Sequence, residues 1–141
     1  MKTLKSITMA LALFAVCFTA NAANKTKNLT KDEAINTYVT AVTTGKTDGL
    51  ENAIADNAQF NLKRGDNVIT SDKTQMLAYL KSTPAPSGDC KCTNTIIKDE
   101  GDGTEIIKVD MQFSDILRTN VITVERKFGT WAITNVDTSF K

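Results

Sequence analysis

The chain has 141 residues, with 17 Lys and Arg against 16 Asp and Glu, a formal net charge of +1, and no histidine. So balanced a chain carries no electrostatic footprint for nucleic acid and no polybasic patch for a membrane surface. Without histidine it lacks the commonest general base near neutral pH and the commonest metal ligand, and nothing in the composition implies a cofactor or a metal.

In chain order, the first feature is a three-part N-terminus. Lys2 and Lys5 supply positive charge, an uncharged apolar run extends from Ile7 to Phe18, and Ala20-Asn21-Ala22 places small residues before a cleavage point. This order predicts a signal peptide over residues 1–22, with an apolar run too short to span a bilayer comfortably. Phe14-Ala15-Val16 ahead of Cys17 lacks the small residue expected beside a lipid-modified cysteine. Cleavage after Ala22 leaves 119 residues, one domain's worth, in the periplasm or outside the cell, with no membrane association after the signal is removed. Residues 23–29 are polar and read as a flexible lead-in, and residues 30–141 as the domain.

Thr30 and Glu33 form a capping box ahead of Ile35, Tyr38, Val39 and Val42, which fall on one helical face, and Gly45 ends that helix. A shorter helix is expected from about Asp48 to Ala55, capped by Thr47. The period then changes to two, with Ala58, Phe60 and Leu62 alternating with polar residues in a strand. Arg64-Gly65-Asp66-Asn67 reads as a turn rather than as an adhesion tripeptide, and Val68-Ile69-Thr70 returns as a short strand. Ser71 is expected to cap a third helix through about Lys81, and residues 82–91, which hold both prolines, form a loop.

Beyond the loop the pattern is antiparallel sheet, with strands at 92–98, 104–114, 117–127 and 130–140. The clearest has Ile107, Val109, Met111 and Phe113 on one face against Lys108, Asp110 and Gln112 on the other. Helices first and strands last predict an α+β fold, with three N-terminal helices on the concave face of a curved antiparallel sheet.

Four short motifs in this order resemble a known superfamily. They are Tyr38-Val39, Gly45-Lys46-Thr47-Asp48-Gly49-Leu50, Ala55-Asp56-Asn57-Ala58-Gln59-Phe60, and Phe128-Gly129-Thr130-Trp131-Ala132-Ile133. They are similar to motifs of the nuclear transport factor 2-like, or SnoaL-like, proteins, a cystatin-like cone fold that includes the ketosteroid isomerases. The resemblance implies a conical barrel with an apolar pocket between helices and sheet, and a homodimer formed through the other sheet face. In the isomerases a carboxylate base follows the start of this strand. Here Leu62 stands at that position, and leucine abstracts no proton.

Tyr38 is the foremost candidate pocket group, a phenol on a buried helix face able to donate to a ligand carbonyl or to serve as core packing. Asp110 and Gln112, with Asn120 and Asn135 on neighbouring strands, are further pocket candidates if their face lines the cone. Trp131 either stacks a ligand or packs the last strand. Cys90 and Cys92 are the two cysteines of the mature chain, open to a local disulfide, to reduced thiols or to an intermolecular bridge. Two sulfurs without a histidine make half a zinc site.

The expected function is an exported, non-catalytic domain that binds a small apolar or amphipathic ligand or a partner. The alternatives are a lyase, isomerase or cyclase using Tyr38 as donor, and a structural dimerisation module whose cone is filled. A buried carboxylate facing Tyr38 would favour the enzyme.

Overall fold

The computed structural model describes residues 28–86 and 88–141. The signal expected over residues 1–22, and the lead-in up to residue 27, lie outside the described residues. Leu29, the last lead-in residue, is held by the final strand: its N–H donates to Thr130 Oγ1 at 3.0 Å and its carbonyl accepts from Trp131 N at 2.9 Å.

Helix α1 (Lys31–Thr44) has the expected caps: Thr30 and Glu33 exchange side-chain and backbone hydrogen bonds, and the Gly45 N–H donates to the Ala41 carbonyl. Helix α2 (Leu50–Ala53) is shorter than its pattern suggested, and its N-cap is Gly49 rather than Thr47. Gly49 sits at φ 75°, a left-handed conformation open to glycine, and so starts the helix two residues later than expected. Ile54 is already extended and begins strand β1 (Ile54–Arg64). Strand β2 (Asn67–Asp72) returns through the Gly65-Asp66 turn. Helix α3 (Lys73–Ser82) is capped by Asp72, not Ser71. Asp72 Oδ1 accepts from Gln75 N at 2.8 Å, while Ser71 is still paired with Phe60 across the β1–β2 ladder.

Strands β3 (Lys91–Asp99), β4 (Thr104–Phe113), β5 (Ile116–Lys127) and β6 (Thr130–Phe140) form an antiparallel meander. The six-stranded order is β2-β1-β6-β5-β4-β3. One pairing departs from the all-antiparallel expectation: β1 runs parallel to β6, with Phe60 opposite Val136 and Leu62 opposite Thr138, so the sheet is mixed.

The helices cover one face, α1 over β5 and β6 and α3 over β1 and β2. Alternate residues of each strand point into this layer, among them Phe60, Val109, Met111, Ile122 and Val136, all buried with Tyr38 and Leu50. The result is the expected α+β architecture of a curved sheet with helices on its concave side. Strand β3 closes one edge, and all nine of its residues are exposed.

Candidate functional site

The period of two decides which side chains meet inside the curve. On β5, Arg118, Asn120, Ile122 and Val124 are in phase. They face Phe140, Thr138, Val136 and Ile133 across the β5–β6 ladder. Toward one end of the concave face the packing opens. A cavity of about 220 Å³ remains between α3 and the sheet. Its apolar wall is Phe60, Leu62, Ile69, Met76, Tyr79 and Phe140, and its polar lining includes Arg64, Ser71, Arg118 and Thr138. Larger depressions of about 450 and 500 Å³ lie open on the surface.

Arg118 is the charged group fixed inside this cavity. Its Nε donates to Asn120 Oδ1 at 3.2 Å, and a terminal nitrogen donates to the Tyr38 hydroxyl at 3.4 Å. Asn120, fully buried, also accepts from Thr138 Oγ1 at 2.8 Å, while its own amide lies 3.5 Å from Met111 Sδ. The guanidinium lies 5.8 Å from the Phe140 ring centroid, within cation–π range. Burial pushes the Tyr38 phenol above its ordinary pKa, and the nearby Arg118 charge, with hydrogen bonds to Arg118 and Thr138, pulls it part of the way back.

No family model matches the sequence, and no curated protein matches it. Solved structures do. An NTF2-like protein of unknown function from Silicibacter pomeroyi superposes with a TM-score of 0.64 at 17% identity, covering 77% of this chain and 90% of that one. One from Shewanella baltica gives 0.64 at 14% identity, covering 77% and 89%. A candidate ketosteroid isomerase from Parabacteroides distasonis gives 0.58 at 12% identity, covering 81% and 95%. The fold is the NTF2-like cone.

Within the NTF2-like cone the expected pocket residues separate into three groups. Tyr38 is fully buried and stands one layer behind the cavity wall, its ring 6.1 Å from that of Phe60 and its hydroxyl on Arg118. Asn120 lies in the same layer and holds Arg118. Asp110, Gln112 and Asn135 do not line the cavity. They alternate with the buried Val109, Met111 and Val136 and therefore project from the opposite face of the sheet. There Asp110 accepts from Thr119 at 2.6 Å and pairs with Lys108 at 3.1 Å. The Thr119 hydroxyl, then Lys108, hold its carboxyl below its ordinary pKa against the effect of burial. Asn135 joins Asn61 and Asp137 in a hydrogen-bonded row on that outer face.

Trp131 lies at the other end of the cone, in an open groove with Lys31, Glu105 and Arg126. Lys31 Nζ sits 5.8 Å from its ring centroid and pairs with Glu105, the single charged side chain buried among the described residues. Glu105 is six residues along β4 from Met111, about 20 Å of strand, and so does not face Tyr38. Leu62, which the resemblance sets at the base position of the isomerases, is part of the cavity wall, and no carboxylate among the described residues lines the cavity.

Cys90 and Cys92 face each other as thiols with their sulfurs 3.5 Å apart, at the start of β3. Burial, helped by the neighbouring Cys92 sulfur, pushes the Cys90 thiol up to about 11.

Sequence reasoning missed Arg118, which reads as an ordinary surface charge in a strand with several. The available signal was its phase. Arg118 is four and six residues before Ile122 and Val124, on the face those residues bury.

Proposed function

We propose that this chain is an exported, non-catalytic binding domain whose cone takes a small apolar or amphipathic molecule. The observation that carries this reading is the cavity itself, a pocket of about 220 Å³ with a mainly apolar wall. At its mouth Ile69, Tyr79 and Phe140 stay 52%, 54% and 45% exposed, an apolar rim that no element among the described residues covers. The polar side chains inside are guanidinium and hydroxyl groups. With neither a carboxylate nor a histidine among them, there is no general base to drive isomerase or lyase chemistry. A cavity of this size also speaks against the filled-cone module.

The test is an NMR titration with 1-hexanol and hexanoate, following the Met76 methyl, on the wild type and on Leu62→Trp, which puts an indole into the cavity. Saturable shifts in the wild type for either compound, lost in a folded Leu62→Trp, support the reading. Absence of saturation by both compounds overturns it. Export is tested separately: N-terminal sequencing of protein recovered from the host should begin at Ala23. The proposed homodimer, through the sheet face that carries Asp110 and Thr119, is tested by light scattering on the purified chain, where a monomer at all concentrations removes it.

A further inference from the structure

We infer that Arg118 is the anchor of this cavity and that the ligand is an organic monocarboxylate with a short apolar body, its carboxylate forked onto the guanidinium. This rests on the cavity being a binding site, and it adds the chemical class of what binds.

Arg118 places a charge on a face that is otherwise apolar or neutral. Arg118 shares its strand face with Asn120, Ile122 and Val124, all fully buried, and reaches over the floor of an apolar cavity. Arg118 is itself half-buried, and a cation partly withdrawn from water is destabilised unless it is paired. Yet Arg118 takes part in none of the ion pairs among the described residues. Its partners are an amide oxygen, a phenol and an aromatic ring, all neutral. Tyr38 does not supply the missing anion, since burial keeps its phenol protonated.

The same contacts hold the guanidinium in place. Asn120 is oriented by Thr138, which donates to the same Oδ1 that receives Arg118 Nε, and Tyr38 takes one terminal N–H. Of the five N–H donors of an arginine, two are engaged in this way, which leaves three without a partner among the described residues. A planar, pre-oriented donor group of this kind matches the two oxygens of a carboxylate. The single fixed cation sets the ligand's charge at minus one. Arg64, exposed at the lining, adds positive potential. The volume, roughly seven water-sized groups at about 30 Å³ each, limits the body to a short chain or a single ring. The wall formed by Phe60, Leu62 and Met76 requires that body to be apolar.

The experiment compares hexanoate, 1-hexanol and hexylamine by calorimetry on the wild-type chain, Arg118→Met and Arg118→Lys. A hydrogen-bonded charge pair of this kind is worth about ten- to a hundredfold in affinity. Hexanoate should therefore bind the wild type more tightly than hexanol by that factor, and hexylamine more weakly than either. Arg118→Met should lose the preference while keeping hexanol binding. Arg118→Lys, which retains the charge without the fork, should fall between. If hexanoate and hexanol bind the wild type equally, the carboxylate inference fails and the cavity reading stands. If no compound binds, both fail. Should Arg118→Met not fold, the ligand series on the wild type and Arg118→Lys still decide the question.

Discussion

Lys31, the first residue of α1, places its ammonium on Glu105, so the helix that covers the cone is fastened to β4 by a charge pair. Glu105 is 2% exposed, and its second oxygen, Oε1, has no partner among the described residues. Removing the lysine strands a buried carboxylate. Lys31→Met should therefore cost about 1–3 kcal/mol in chemical denaturation, and adding Glu105→Met should recover most of it. The hydrogen bond to Glu105 pushes the Lys31 pKa up, against the opposing effect of its burial. A raised folded-state pKa means that the pair's contribution is complete below about pH 10.4, the ordinary lysine value. It is lost as pH climbs through the raised one. As the pH is raised from 8 past that value, the denaturation midpoint of the wild type should fall toward that of Lys31→Met, while the double variant, which lacks both charges, changes less.

Tyr38→Phe keeps the ring beside Phe60 and removes the hydroxyl that receives Arg118. The expected loss is about 1 kcal/mol of stability, with hexanoate affinity falling less than tenfold, because the phenol lies behind the wall rather than on it. A loss as large as that of Arg118→Met would place Tyr38 in direct contact with the ligand.

The thiol pair makes a kinetic prediction. Cys92 is exposed while Cys90 is half-buried, its pKa pushed up to about 11. Mass spectrometry after brief iodoacetamide treatment at pH 8 should find Cys92 modified well before Cys90. Because the fold favours the neutral Cys90 thiol, its contribution is full below the ordinary cysteine value of about 8.5. It fades as pH rises toward 11. A thiol–disulfide oxidant should consume both thiols together, since the sulfurs need to close only from 3.5 Å to about 2.05 Å.

Phe128 takes φ 53° at the tip of the β5–β6 hairpin and is fully exposed, beside Gly129 at φ 81°. Two successive positive φ angles define the tight turn that suits Asn-Gly, and phenylalanine is a poor first residue for it. Phe128→Asn should stabilise the chain by about 0.5–1 kcal/mol, with ligand binding unchanged, as read from the thermal midpoint and the hexanoate titration.

What the sequence made legible was local. The Thr30–Glu33 box, the Gly45 stop and the alternation of Ile107, Val109 and Met111 each depend on neighbours a few residues away, and each appears as expected. The starts of α2 and α3 shifted because the competing partners were not local: Gly49 adopts a left-handed angle, and Ser71 is held in a ladder opposite Phe60. Asp110, Gln112 and Asn135 were assigned to the pocket through their polarity, whereas the pleat sends polar and apolar neighbours to opposite faces. Arg118 escaped for the converse reason. A lone charge in a strand gives no inward signal by its type, although its phase with Ile122 and Val124 turns it inward.

The parallel union of β1 with β6 governs how the chain can be made. Ile54 pairs with Ile133, so β1 gains its second strand neighbour only when the last strand has been made. Pairing across so much sequence slows folding and prolongs the life of incomplete species. A product ending before Thr130 would present Phe60, Ile122 and Val124 to solvent and should behave as a client for chaperones or proteases rather than as a smaller version of the domain. The cavity, whose lining includes Thr138 and Phe140, is complete only once that last strand has docked.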